Sequence, residues 1–586
     1  MNPQTKNCQN CKQDFTITPD DFSFYEKIKV PPPTWCPPCR FQRRMIFRNE
    51  RKLFRNIDAV SGEAIISIFP PESSYPIYQD DFWAGDGWDP FSYGQEFDRS
   101  RPFLEQLGEL IKKVPRPRSL TLANIRSDYT ANASYMKDCY LLFNSNTTED
   151  SAYGNAIDFS KQCFDCSHIQ NSERCYESFW LTKCYDTHFS SLCEDCVSVW
   201  FSRDCRGCTN CFGCVNLRNK SYCFFNQQLS KEEYHEKLAS LKISLWTELE
   251  QIKKEIGSFW LSFPVKYLQG VSNTDVIGEY ITHSKNIRYG YLIREGEDSA
   301  YCQYGQVPPF KDCVDVTCFG AVTELQYDTV TSGWGSSQLK FCWECWDGGF
   351  DFEYCAYSGK NAKHLFGCVG VASGEYSILN RRYTKEEFIA LREEIKKHMV
   401  DMPYRDAQGR VYSYGEFLPP EFSPFAYEDT MAIDHFPLSK EKIKAYGCRP
   451  QTAVKSEYET TIKSTDLPDD INDAEDTILK EIIECNDCKH AYRIISSELQ
   501  FLRQNHIPLP RSCVDCRHTK RISQRNKSAL YPRACDCNSS SKETVYKNET
   551  EHFHGNLPCP NTFETSYSPN RPEVIYCEKC YQQEVV

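Results

Sequence analysis

No run of eighteen apolar residues occurs in the 586-residue chain, so a membrane-spanning helix is not expected. The N-terminus lacks a basic stretch followed by an apolar one, so no signal peptide is expected either. Together these point to a cytoplasmic, reducing setting. There is no GxGxxG, no Walker loop, no HExxH and no GxSxG. The H-x-E that a zinc deaminase places ahead of PCxxC is also missing. No catalytic residue can be named, and an enzyme is not the expected reading. Methionine is scarce, at 6, whereas aromatics reach 14%, which excludes a disordered composition.

What the chain has in excess is cysteine, 33 in all, an odd number that rules out complete pairing into disulfides. Paired CxxC units in a cytosolic chain read as metal ligands first. Cys8-x2-Cys11-x24-Cys36-x2-Cys39 recurs at an offset of 477 as Cys485-x2-Cys488-x24-Cys513-x2-Cys516. Phe15, Phe24, Arg40, Arg44, Arg48 and Asn49 recur at the same offset as Tyr492, Phe501, Arg517, Arg521, Arg525 and Asn526. Four thiolates on two knuckles suit tetrahedral zinc in closed, structural sites. A third unit closes the chain with Cys577-x2-Cys580. Cys559 precedes an aromatic by four residues, as Cys11 and Cys488 do, and takes the second ligand position. Asn556 stands where its partner belongs, so the fourth ligand comes from Cys535 or Cys537, across an insertion holding His552 and His554. Cys535, which follows Arg533, is preferred, and the histidines are read as loop residues. Three zinc ions are expected.

Residues 1–60 carry a net charge of +5 and residues 485–533 of +7, against −13 for the whole chain, so the remainder holds −25. Arg40, Arg44 and Arg48, like Arg517, Arg521 and Arg525, fall four apart on what reads as a helix after each ribbon. Such a helix could grip the phosphates of RNA or DNA. It could equally dock on the acidic middle of the same chain or of another protein.

The middle is duplicated. Phe212-Gly213-Cys214-Val215 recurs as Phe366-Gly367-Cys368-Val369, and Asn226 as Asn380. Two capping boxes, beginning at Ser230 and Thr384, follow and start helices. Lys161-x-Cys163-x-Asp165 recurs as Lys311-x-Cys313-x-Asp315, at an offset of 150. In the first copy Cys166, Cys175, Cys184 and Cys193 are nine apart, as are Cys196, Cys205, Cys214 and Cys223. Small residues at fixed phase suggest stacked β-coils of eighteen or twenty-seven residues, with thiols packed inward. Cys205, Cys208, Cys211 and Cys214 resemble an iron–sulfur run. The last spacing is wrong and Val215 replaces proline, so a cluster is not expected. In the second copy Cys342-x2-Cys345 has no matching pair and reads as packed thiols.

The expected fold is therefore α+β, mostly β. Zinc ribbons at both ends flank a duplicated, cysteine-rich, solenoid-like middle, and a helix closes each half. The segments are 1–58 (ribbon and basic helix), 59–125 (aromatic connector and amphipathic helix), 126–257 and 258–400 (the two repeats), 401–474 (strap and linker), 475–533 (second ribbon) and 534–586 (third ribbon with its insertion). Cys448 has no assigned role.

These motifs, with the closing stretch from Phe563 to Val586, resemble over essentially the whole chain a family of large, cysteine-rich zinc-ribbon proteins known from bacteria with very small genomes. The resemblance implies zinc knuckles at Cys8, Cys11, Cys36, Cys39, Cys485, Cys488, Cys513, Cys516, Cys577 and Cys580, and it implies no activity. The expected role is a zinc-binding scaffold, with nucleic-acid binding through the basic helices as one extension. The alternatives are a protein-interaction or self-assembly module and a redox protein that uses the middle.

Overall fold

The computed structural model describes residues 2–73, 75–452, 458–537 and 546–586. It is α+β with strand predominating. Among these residues no helix is long and apolar enough to cross a membrane. The chain divides into two compact units. One comprises Met1–Ser119, Leu268–Thr452 and Lys527–Ala529, and the other Leu120–Tyr267, Ala453–Asn526 and Leu530–Val586. The first ribbon thus folds with the second repeat, and the other two ribbons fold with the first repeat.

In the unit of the first repeat, the middle is a barrel-like sheet of parallel strands with a constant register. Thr121 pairs with Ala133, Asn155 with Ser167, Cys163 with Cys175, Leu181 with Cys193, and Cys211 with Cys223. The step is twelve residues, not the eighteen or twenty-seven expected from the nine-residue series. The backbone explains the difference. Every third residue from Asn132 to Phe225 adopts a left-handed conformation. Asp, Asn and Gly tolerate that conformation best, and Asp138, Asn144, Asp165, Asn171, Gly207 and Gly213 are among them. The residue after each corner points inward, so one side chain in three faces the interior and any multiple of three shows up as a sequence period. Four such corners make the twelve-residue step. Nine stands out because a thiol also meets the carbonyl nine residues on, as Cys184 does at Cys193 (3.5 Å) and Cys196 at Cys205 (3.3 Å).

Inward columns follow the twelve-residue step: Cys139, Ser151, Cys163, Cys175, Thr187, Val199, Cys211 and Cys223 are all buried. Serine is tolerated inside because its hydroxyl is fully used. Ser172 Oγ donates to the Gln170 carbonyl at 2.9 Å and accepts the Cys184 N–H at 3.0 Å. Ser151 and Ser202 accept the N–H groups of Cys163 and Cys214 in the same way. The repeated asparagine closes each sheet. Asn226 accepts the Val215 N–H at 2.8 Å and donates to the Val215 carbonyl at 2.9 Å. Asn380 does the same for Val369, at 2.7 and 2.8 Å. One side-chain amide thereby satisfies backbone groups that would otherwise be left at a sheet edge. Both predicted capping boxes form, at the starts of Lys231–Ser240 and Lys385–Asp401.

In the other unit the step changes along the chain. It is eleven at Thr274–Lys285, twelve at Ile287–Ser299, fourteen at Ala300–Val314, thirteen at Val314–Tyr327 and twelve again at Lys363–Glu375. Each added or lost residue moves the inward phase, which is why no sustained period is visible there. Of the expected linker 452–474, residues 453–457 lie outside the described residues. The rest is not simply a linker, because Leu467, Ile471 and Ala474 are buried in the core beneath the second ribbon.

All nineteen cysteines of the middle are buried and free. Burial pushes the thiol of Cys139 up to about 11 and that of Cys302 up to about 12. A thiol of pKa 11 is ionised in roughly one molecule in a thousand at pH 8, and the thiolate is the nucleophile. Iodoacetamide at pH 8 is therefore expected to leave these two positions unmodified in the folded protein and to label them fully in denaturant. Peptide mapping by mass spectrometry checks this, and fast labelling of the native chain would contradict the burial.

Candidate metal centres

Each ribbon begins with a β-hairpin whose turn carries the first cysteine pair, and ends at a helix whose N-terminus carries the second. The hairpins pair Gln4–Asn7 with Asp14–Ile17 and Ile483–Glu484 with Ala491–Tyr492. Cys36 and Cys513 are the N-caps of Pro37–Met45 and Val514–Ser523. The Cys36 N–H donates to Cys8 Sγ and the Cys513 N–H to Cys485 Sγ, both at 3.2 Å. Cys11 Sγ lies 3.6 Å from Cys36 Sγ, and Cys488 Sγ lies 3.6 Å from Cys513 Sγ. Cys8, Cys11, Cys36 and Cys39 bring their sulfurs within 4.8 Å of one another, as do Cys485, Cys488, Cys513 and Cys516. Either group could hold a metal ion with no position open to water.

The third ribbon repeats this geometry around its insertion. Tyr531–Ala534 pairs with Thr562–Thr565, and Cys577 is the N-cap of Glu578–Val585. The Cys577 N–H donates to Cys535 Sγ at 3.2 Å, as its counterparts do to Cys8 and Cys485. The Cys535 N–H donates to the carbonyl two residues past Cys559, as Cys8 and Cys485 do to the carbonyls two past Cys11 and Cys488. Cys535 therefore stands in the place of Cys8. The structure brings all four of the residues the sequence offers for this place, Cys535, Cys537, His552 and His554, close to Cys580. Cys537 Sγ lies 3.5 Å from Cys580 Sγ, and the third group within 4.8 Å is Cys535, Cys537, Cys559 and Cys580, with Cys537 in the place expected of Cys577, whose Sγ lies 3.9 Å from Cys559 Sγ. Cys537, His552, His554 and Cys580 form a fourth. The spacing H-x-H beside a cysteine pair was the available signal. Residues 538–545 of the insertion lie outside the described residues.

The six arginines offered as phosphate ligands face inward. Arg40 Nε donates to Asp315 at 2.8 Å, and Arg44 Nη1 reaches Asp328 at 2.9 Å and Asp315 at 3.3 Å. Arg43 bridges Asp328 (2.8 Å) and Glu416 (2.9 Å), and Arg48 meets Glu344 at 3.0 Å. In the other unit Arg517 Nη1 lies 2.6 Å from Asp165 and 2.8 Å from Glu498. Arg521 Nη1 lies 2.9 Å from Asp165, and Arg525 lies against His168. All six are at most 9% exposed, so a nucleic-acid backbone has no access to them. A helix rises about 6 Å in four residues, and neighbouring strands lie about 4.8 Å apart. Arginines spaced by four consequently meet carboxylates on successive strands, Val314–Gly320 and Tyr327–Gly333. Burial alone would pull the Arg40 guanidinium down, but the facing Asp315 reverses this and holds it well above its ordinary value. Asp165 and Glu498 do the same for Arg517.

No protein-family model matches the chain, and no curated protein matches it. The chain is its own best comparison. The offset of 477 carries Arg40 and Arg44 onto Arg517 and Arg521, and the offset of 150 carries Asp315 onto Asp165. Those repeats meet in space: the same arginine pair clasps the same aspartate in both units.

Cys205, Cys208, Cys211 and Cys214, the run resembling an iron–sulfur motif, are successive inward residues of one twelve-residue step. Their thiols donate to the carbonyls two residues before them at 3.4–3.6 Å. Among the described residues they do not form a group with all four sulfurs within 4.8 Å. Cys448 is half-buried, and burial pushes its thiol up to about 12.

Proposed function

We propose that the protein is a zinc-stabilised scaffold of the large zinc-ribbon type that its motifs resemble, working in the cytoplasm. The middle is read as two stacks of coils, held by the parallel ladders and by inward serines whose hydroxyls bond the backbone. Zinc-held ribbons lock onto their sides. The observation that carries the reading is the duplicated clasp of two arginines on one buried aspartate. It turns the basic helices into internal latches and removes the surface that favoured nucleic-acid binding. The outward charges of the coils are of both signs, as where Lys161 meets Glu149 and Asp150 and Lys311 meets Glu297 and Asp298.

Native mass spectrometry tests the metal part: zinc is expected in every ribbon, and a protein free of zinc, or one carrying iron in the middle, would sink it. A gel-shift assay at low salt tests the latch. No shift of RNA or DNA is expected, and a strong salt-dependent shift would restore the nucleic-acid alternative.

A further inference from the structure

We infer that the third ribbon holds two metal ions, not one, and that Cys580 is the thiolate they share. The inference rests on the zinc reading above and goes beyond it by adding a site inside the insertion. The first ion takes Cys535, Cys559, Cys577 and Cys580, the counterparts of Cys8, Cys11, Cys36 and Cys39. The second takes Cys537, His552, His554 and Cys580.

The donor set of the second site is pre-arranged. Ligand bonds of about 2.3 Å to sulfur and about 2.0 Å to nitrogen, at tetrahedral angles, put neighbouring ligand atoms roughly 3.5–3.8 Å apart. Cys537 Sγ is 3.5 Å from Cys580 Sγ and 3.3 Å from His554 Nε2, and Cys580 Sγ is 3.4 Å from that nitrogen. His554 Nδ1 donates to the Leu557 carbonyl at 2.7 Å, which fixes the tautomer with a lone pair on Nε2, facing the two sulfurs. His552 is arranged with its ring the other way round. Its Nε2 is held by Glu584 at 3.1 Å, while Nδ1 is buried and has no hydrogen-bond partner. Its side chain is only 1% exposed, so water does not serve that nitrogen. A carboxylate or carbonyl on the far nitrogen is the usual support of a metal-binding histidine. Glu584 is itself fixed by Tyr546 Oη and the Glu549 N–H, each at 2.7 Å.

Cys580 belongs to both sets, because Cys559 Sγ is 3.7 Å away on its other side. Charge favours the pair of ions. Five thiolates around one divalent ion would leave three negative charges in a largely buried site, and a second ion reduces that to one. With a single ion, one of the two positions Cys537 and Cys577 is left without a role, and His552 Nδ1 without a partner.

The test is zinc(II) stoichiometry of the full chain by native mass spectrometry, on wild type and three variants. Wild type is expected to hold four ions. His554→Ala and Cys537→Ser are expected to hold three, while His554→Cys, which keeps a donor, returns to four. Substituting cobalt(II) adds a readout that a purely structural role would not move. Two ions sharing a thiolate couple magnetically, so the cobalt spin signal per ion falls below that of the Cys537→Ser protein. Three ions in wild type, unchanged by His554→Ala, would overturn the inference and leave the zinc ribbons intact. Fewer than three would overturn the ribbon reading itself.

Discussion

Replacing Asp165 by alanine is expected to destabilise its unit by about 3–5 kcal/mol, the usual loss when one member of a buried ion pair is removed. Asp165 is the carboxylate that Arg517 and Arg521 have in common, at 2.6 and 2.9 Å. Without it Arg517 keeps Glu498, but the Arg521 guanidinium is left with the Tyr153 carbonyl at 3.2 Å. A buried cation facing only a carbonyl carries most of its desolvation uncompensated. Asp315→Ala is expected to match it, since Arg40 would retain only the Trp35 carbonyl. Asp328→Ala is expected to cost less, about 1–3 kcal/mol, because Arg43 keeps Glu416 and Arg44 keeps Asp315. Adding Arg521→Met to Asp165→Ala is expected to recover part of the loss by removing the stranded charge. Denaturant titration at fixed zinc gives all four values. An Asp165→Ala protein within 1 kcal/mol of wild type would mean that the clasp contributes nothing to holding the ribbon, and the latch reading would fall.

That clasp also marks how far the sequence was legible. Both halves of it were visible, as arginines repeating at 477 and an aspartate repeating at 150. Their meeting was not, because contacts across 271 to 356 residues leave no local pattern. Charge totals left docking and phosphate binding equally open for the same reason: a sum over a segment does not say which side of a helix is covered. The ribbons were readable because metal geometry imposes local spacing, even in the third copy, where an aromatic four residues past Cys559 survived the insertion. His552 and His554 read as loop residues in the sequence because two histidines in a loop carry little signal until Glu584 and Leu557 are seen to orient them. The nine-residue series located the inward residues, yet not the length of the step. The sequence records which side chains point inward, one in three, whereas the number of corners in a step is set by backbone closure. The role of Asn226 and Asn380 follows from the same closure, since an amide that stands in for a missing strand is visible only once the last strand is.

Withdrawing the metal is expected to have the largest effect of all. Structural zinc bound by four cysteines contributes about 10–16 kcal/mol at neutral pH, against a total stability of roughly 5–15 kcal/mol for a typical domain. A ribbon that loses its ion therefore has only its apolar packing and its arginine clasps to set against a loss of that size. Its hairpin is short, four residues a strand at Gln4–Asn7 and Asp14–Ile17, and besides the sulfurs the second knuckle is joined to the first by the N–H bonds from Cys36 to Cys8 and from Gln9 to the Thr34 carbonyl. The middle is different. Its parallel pairings and the amide caps of Asn226 and Asn380 involve no metal ligand. Prolonged chelation is thus expected to open residues 1–58 and 475–586 to protease while the core of both repeats resists, with most of the β-sheet circular dichroism retained. Asp165, Asp315 and Asp328 do not become stranded charges in this state, because the helix that covers them leaves and water replaces it. The freed Arg40, Arg44, Arg517 and Arg521 become an exposed cationic surface, so the metal-free protein is expected to show a salt-dependent RNA binding that is not expected of the metal-loaded protein. Cys39→Ser is expected to reproduce this for the first ribbon alone, with one zinc lost and cleavage confined to residues 1–58. If chelated protein keeps both ends protected, the ribbons are held by their arginine clasps without zinc, and the metal sites are dispensable to the fold.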